Sequence, residues 1–256
     1  MNTLVSRSPI RSLEVLDVFR IARQPLSLSE IARLSRLPVS TCHGVMRALE
    51  YHGFLYFLSP REAYPTRRLW DMASAIEAND PIAQHLAPAL QALRDETGET
   101  VILGTRQRDR VVYLQVIEST QSIRYSSRVG EHKPLHSSAI GKCLLGTMPR
   151  AELDAWLATH RLERVTDATC TDANALRSDL DAGRGRGWYV TRGENVADVM
   201  ALAAPLQLGS LTLAIAVAGP IHRMARTQSG VASQLLACAQ RIGQHAHNPQ
   251  EITDGR

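Results

Sequence analysis

Hydrophobic positions in the first seventy residues recur in short helical bursts, and a short strand-like run follows them. Ser8-Pro9 reads as a helix start, since proline at the first helical position gives up an N–H that would go unpaired anyway. Behind it Leu13, Leu16 and Phe19 are expected on one side, with Val15 and Val18 widening the stripe. Ser27 and Glu30 have capping-box spacing, just ahead of Ile31, Ala32 and Leu34. Arg36-Leu37-Pro38 interrupts that second helix, and a third is predicted from about Val39. There Cys42, Val45, Met46 and Leu49 follow the i, i+3, i+4, i+7 pattern of a buried stripe. The opposite face offers Ser40, His43, Gly44 and Arg47, with no carboxylate before Glu50. Residues 54–58, the turn Ser59-Pro60-Arg61-Glu62 and then Ala63-Tyr64 read as a hairpin. Two short helices across a tight turn, with a hairpin behind them, predict a winged helix-turn-helix. Its second helix would enter a major groove, while Arg61, Arg67 and Arg68 at the wing tip and exit would meet phosphates. Without the hairpin, the third helix would fit a solvated helix of any three-helix bundle equally well.

Residues 68–78 continue as a helix with an apolar seam of Leu69, Met72, Ala73 and Ile76, and Asn79-Asp80-Pro81 stops it and starts another. That helix, 81–96, carries Leu86, Leu90 and Leu93 on one face, a kink at Pro88 and a cap at Gly98. Strands follow at 100–106 and 111–117 across the turn 107–110, and a third is expected at about 123–129. Helices are predicted near 137–145, 151–158 and 172–182, strands at 188–191, 200–207 and 211–218, and a closing helix from about 229 to 245. Hairpin-linked strands with helices inserted and appended make an α+β domain with an antiparallel sheet.

Charge sharpens this division. Net charge is +4, but residues 1–70 hold ten Arg against five Asp and Glu, so the excess lies wholly in the first quarter. A local positive field beside a near-neutral remainder suits a small polyanion-binding module joined to something else. No apolar run approaches the roughly 20 residues of a membrane span, and the first residues do not read as a secretory leader, so a cytoplasmic location is expected. Cys42, Cys143, Cys170 and Cys238 are scattered without paired spacing, which fits reduced thiols and no metal site; His245 and His247 read as a solvated tail.

Catalytic readings do not hold together. Gly141-Lys142 lacks the first glycine and the Ser/Thr of a phosphate loop, His136 and Cys143 standing at those positions. Gly183, Gly185 and Gly187 suit a helix end better than a nucleotide fingerprint. Cys143 with His136 is expected to be a buried thiol and a surface imidazole, and Glu194 with Asp198 has nothing beside it to divide acid from base.

The run LSLSEIARLSRLPVSTCHGVMRALEYHGFL resembles the DNA-binding domain of the IclR family of bacterial transcription regulators. Leu37, Pro38, Ser40, Thr41, His43, Leu49, Glu50, Gly53 and Phe54 fit its turn and third helix. Gly44 replaces the usual arginine, and Tyr64-Pro65-Thr66-Arg67 departs from the usual wing exit. The second half follows the same family in Asp95-Glu96-Thr97-Gly98-Glu99-Thr100-Val101, in Pro134-Leu135-His136-Ser137-Ser138-Ala139-Ile140-Gly141-Lys142, and in Gly187-Trp188, Glu194, Ala203-Ala204-Pro205 and Gly219-Pro220. The resemblance implies a winged helix-turn-helix over 6–68, a linker helix over 69–80 and a GAF-like effector-binding domain over 81–248. It further implies no catalysis, no cofactor, a double-stranded DNA operator, a small-molecule effector and a homodimer or homotetramer. Ser40, Thr41, His43, Gly44 and Arg47 would read the operator. Tyr125, Ala139, Ile140, Gly141, Thr191, Ala201, Ala216 and Ala218 would surround the effector. Alanine at three of the last four positions, where polar residues are common, points to a bulkier and less polar acid, aromatic or alicyclic. The expected role is a repressor, or dual regulator, of a catabolic operon. The alternative is a metabolite-binding or catalytic domain whose helix-turn-helix no longer binds DNA, for which Gly44 and Pro65 speak.

Overall fold

A computed structural model describes residues 8–246, with the side chains of 8, 81–85, 245 and 246 left out. His247, and the ends of the expected domains at 6–7 and 247–248, lie outside the described residues, as does the His245 side chain. The chain divides into two compact units, Met1–Pro81 and Ile82–Arg256.

In the first unit, α1 (Ser8–Ala22), α2 (Leu28–Ser35) and α3 (Val39–Tyr51) pack on one another, and β2 (Leu55–Phe57) and β3 (Glu62–Pro65) form the wing. Their core joins Val15, Val18, Phe19, Ile31, Cys42, Met46, Leu49 and Leu55. Leu13 is a correction: it is 60% exposed. It stands six residues from Phe19, about 120° away around the helix axis, so the two cannot share one buried face. A short strand that the sequence did not announce, β1 (Leu26–Ser27), pairs antiparallel with β3, giving the order β1-β3-β2. Pro65 closes β3 opposite Leu55, at the end of the ladder, where a missing N–H does least harm. Helix α4 (Arg68–Ala78) follows and buries none of its residues.

The second unit is a six-stranded antiparallel sheet between two helical layers. Its strands are β4 (Thr100–Gln107), β5 (Arg110–Ile117), β6 (His132–Pro134), β7 (Tyr189–Arg192), β8 (Val199–Leu208) and β9 (Leu211–Pro220), ordered β6-β5-β4-β9-β8-β7. Alternate residues serve the two faces. Val101, Leu103, Leu202, Ile215 and Val217 pack with residues of α5 (Pro81–Thr97) and α9 (Ile221–Ala246). Ile102, Ala203, Ala214, Ala216 and Ala218 pack with residues of α6 (Ala139–Gly146), α7 (Arg150–Thr159) and α8 (Ala173–Arg186). Burial on both sides explains why β9 reads as a nearly unbroken apolar run.

Two expectations are corrected here. Residues 123–129 form no strand; Ile123 and Val129 are exposed, and the edge beside β5 is taken by β6 instead. Helix α9 begins at Ile221, eight residues before the expected start, because buried Met224 and the Arg223–Glu99 ion pair hold its polar opening turns. Gly187 ends α8 in the left-handed conformation, as the helix-end reading requires.

Candidate DNA-binding face and effector site

The cap on α2 fixes the helix-turn-helix. The Ser27 hydroxyl accepts from the Glu30 N–H at 3.4 Å, and the Glu30 carboxylate accepts from the Ser27 N–H at 2.8 Å and its hydroxyl at 2.6 Å. Those bonds from Ser27 hold the Glu30 carboxyl below the usual carboxylate range. At the other end Arg36 takes a left-handed conformation and turns the chain, and α3 starts at Val39. Cys42, Met46 and Leu49 then point into the core with Val45 half-buried, which leaves Ser40, His43, Gly44 and Arg47 exposed and Thr41 half-buried.

A cleft of about 470 Å³ opens between α3, the start of α2 and the wing, with His43, Arg47, Phe57, Arg61 and Ser29 among its lining. The structure therefore brings the recognition helix and the wing tip together. Arg47 reaches Glu50 at 3.3 Å, an exposed pair that restrains it weakly. Ser40, Thr41 and Gly44 lie on α3 without lining the cleft, and neither does either arginine of the wing exit. Arg67 lies over the Trp70 ring at 4.4 Å and 3.8 Å from Asp71; Arg68 lies over Phe54 at 4.6 Å and donates to the His52 carbonyl. Sequence reasoning passed over Ser29. Its signal was its place just inside the cap of α2, where unpaired N–H groups favour a phosphate.

In the second unit the effector candidates converge from two directions. Thr191 pairs with Ala201, Ala201 with Ala218 and Ala218 with Thr100, while Ala203, Ala216 and Ile102 form the neighbouring row. Above this small-residue floor stand Ala139 and Ile140, both buried, at the start of α6, and half-buried Tyr125 packs against the same cluster. Ser138 caps α6, accepting from Gly141 N–H at 3.2 Å and donating to Pro134 O at 2.6 Å. A Cβ on Gly141 would fall 2.3 Å from Leu135 O, so the helix start lies tight on the preceding chain. Since Gly141 N–H is committed to Ser138, glycine here serves the close approach. Tyr125 is held by Thr100, whose hydroxyl donates to Tyr125 O at 2.5 Å. A cleft of about 530 Å³ opens beside Tyr125 at the rim of the sheet, and Ile123, Arg124, Asp198, Val199 and His222 share its walls. Of the expected effector residues, Tyr125 alone lines that cleft.

Lys142, the last residue of the Pro134–Lys142 motif, serves no phosphate loop. It is 2% exposed, and its ammonium lies 2.7 Å from Asp179 Oδ2 and 2.7 Å from Glu194 Oε2. These partners come from α8 and from the loop after β7. The same loop is tied down by Thr169, which donates to Glu194 O at 2.7 Å, and by Asn195, which donates to Ser137 Oγ at 3.2 Å. The start of α6 is thereby fixed to two distant segments. Cys143 is buried, which pushes its thiol far above the ordinary range, and His136 is buried too rather than surface-facing, bonded through Nε2 to Glu163 O at 2.8 Å. Neither is poised as nucleophile or base. Among the described residues no group of three His, Cys, Asp or Glu is placed to hold a metal, and no helix is long and apolar enough to cross a membrane.

A winged helix-turn-helix with an outward polar face, joined to a sheet domain with a helix start set over a floor of small residues, defines a ligand-responsive transcription regulator. Two family models match the chain, the IclR helix-turn-helix domain over residues 8–59 and the bacterial transcriptional regulator IclR C-terminal domain over residues 74–244. The chain belongs to the IclR family. It is 33% identical over 236 residues to the HTH-type transcriptional regulator BhcR of Paracoccus denitrificans, covering 90% of this chain and 84% of that one. Among solved structures it resembles the IclR protein of Thermotoga maritima, with a TM-score of 0.73 and 25% identity over 93% of this chain and 99% of that one. It also resembles an IclR homologue from Microbacterium hydrocarbonoxydans solved with 4-hydroxybenzoate, with a TM-score of 0.74 and 23% identity over 94% and 99% of the two chains. These matches are to transcriptional regulators, and the chain is a regulator rather than an enzyme.

Proposed function

We propose that this regulator reads a pseudo-palindromic operator with α3 and releases or retains it according to a small aromatic or alicyclic carboxylate, most simply as the repressor of a catabolic operon. The observation that carries the DNA half is the orientation of α3: its hydrophobic side faces inward, and Ser40, His43 and Arg47 face outward. Hydroxyl, imidazole and guanidinium are the groups that reach base edges and phosphates. Thr41 and the backbone at Gly44 lie beside them, Arg61 meets the backbone from the wing tip, and Arg67 and Arg68 add phosphate contacts with the N–H groups their internal partners leave. The effector is held between Tyr125, the α6 start at Ala139, Ile140 and Gly141, and the floor of Thr191, Ala201, Ala216 and Ala218. That floor offers few donors, which favours a ring over a short polar acid. The homologue solved with 4-hydroxybenzoate supports the same ligand class.

The direct test is affinity for the DNA upstream of its own gene, measured against salt. A steep fall is expected, because several phosphates are neutralised and their counterions released. Arg47→Ala should weaken operator binding about tenfold or more and leave ligand affinity unchanged. Flat, weak binding by the unaltered protein would favour the reading in which the helix-turn-helix has lost its DNA. A thermal-shift screen of carboxylates checks the other half: a response confined to glyoxylate or pyruvate overturns the ligand class, and promoter fusions show the direction of control.

A further inference from the structure

Away from the effector residues, a cavity of about 310 Å³ lies between the β6 edge and the C-terminal end of α7. Such a volume is at the small end of the range for ligand pockets, about 300–1,000 Å³. Arg110, Lys133 and Arg161 line it, against the carboxylates of Asp109 and Glu163. Asp109 is already engaged, accepting from His160 Nε2 at 3.0 Å. His160 in turn stacks on Trp156, with ring centroids 4.6 Å apart and 14° between planes, and bonds the Trp156 carbonyl at 2.9 Å. The wall formed by these two rings is therefore held in place. Trp156 is 6% exposed, and its indole Nε1 is buried with no hydrogen-bond partner. Buried donors are almost always paired, and this one belongs to a residue that lines the cavity. Arg110 and Arg161 share the same lining, while Lys133 is paired with Glu131 at 2.7 Å.

We propose that this cavity is a second anion site, taking a small oxyanion, either an organic carboxylate or inorganic phosphate, through Arg110, Arg161 and the Trp156 indole. An oxyanion would supply an acceptor to these donors, and its hydrogen bonds to guanidinium are of the strong, charge-assisted kind. None of the expected effector residues lines it.

The test uses the full-length 15N-labelled protein and follows its three indole N–H signals, from Trp70, Trp156 and Trp188, with Trp156→Phe assigning the middle one. Sodium phosphate and sodium benzoate are titrated separately against sodium chloride at matched ionic strength. A saturable shift of the Trp156 signal, with Trp70 and Trp188 unmoved, is expected with one or both anions, and which of the two acts identifies the source. Arg110→Ala with Arg161→Ala should weaken it about tenfold or more while the Trp70 and Trp188 signals keep their positions. No shift beyond that of chloride, or equal affinity in the double variant, overturns the proposal. A movement of all three signals together would mark general salt binding and overturn it as well.

Discussion

Gly44 and Gly141 differ in what surrounds them. A Cβ on Gly44 would meet nothing within 4 Å, whereas one on Gly141 would strike the Leu135 carbonyl. Gly44→Ala should therefore stabilise the first unit by up to about 1 kcal/mol, as helix propensity alone dictates, read by chemical denaturation. Gly44→Arg should tighten operator binding and raise its salt slope by about one unit. Gly141→Ala should cost about 1–3 kcal/mol through overpacking, and the ligand-induced thermal shift should shrink with it. Lys142 carries a larger penalty. Lys142→Met leaves Glu194 and Asp179 without their buried counter-charge and should destabilise the second unit by about 3–5 kcal/mol. Adding Glu194→Gln should recover part of that; an unchanged loss would assign the effect to packing. At this scale the sequence was partly legible. Ser40, His43 and Arg47 were placed by periodicity, but the partners of Lys142 lie 37 and 52 residues further along, where no local pattern points to them.

Elements were most legible where their signals are local. The capping box on α2 needs only four consecutive residues, and both of its reciprocal bonds form. Ser27→Ala should lower the stability of the first unit by about 1 kcal/mol. The Glu30 carboxyl is held low by Ser27, and that of Glu118 by Ser126 and then Arg124. Burial pushes Glu131 upward, but its bonds to Lys133, Ser127 and the Arg128 N–H outweigh this and leave it lowered too. For a carboxyl held low in the folded protein, the stabilisation is complete above its unfolded value, about 4.3, and is lost as pH falls through the folded one. Acid titration followed by circular dichroism should accordingly show stability falling below about pH 4, with Ser27→Ala removing only the Glu30 share. Elements fixed by distant partners were misread. Residues 123–129 touch the sheet through Tyr125, and Gly130 just beyond them bonds Tyr113, yet β6 holds the edge. The polar first turns of α9 look unlike a helix until Glu99, 124 residues away, is seen to pair with Arg223.

At the scale of the molecule, the apolar seam predicted on α4 is uncovered in the single chain. Met72 and Ile76 are exposed along with Trp70, and α1 exposes Ile10, Leu13 and Ile21. Uncovered apolar area of this kind is what a second copy would bury. The dimer or tetramer that the family resemblance implies should show by light scattering as an even multiple of the chain mass, and Trp70→Glu with Ile76→Glu should give monomers with much weaker operator binding. The two-part organisation was legible because the charge excess and the helix-turn-helix spacing share the first stretch and the second set of motifs occupies the rest. The cleft beside Tyr125 was less so, since Val199, Asp198 and His222, residues with no motif of their own, share its walls.

One small strand governs how the DNA-reading surface responds to load. Ser27 caps α2 and is also a rung of β1, opposite Glu62 in the wing. A push on the wing is thus delivered through peptide hydrogen bonds to the root of the preceding helix, and tilting one without the other would tear out the cap. A load on the wing should therefore reach the start of α2 as well.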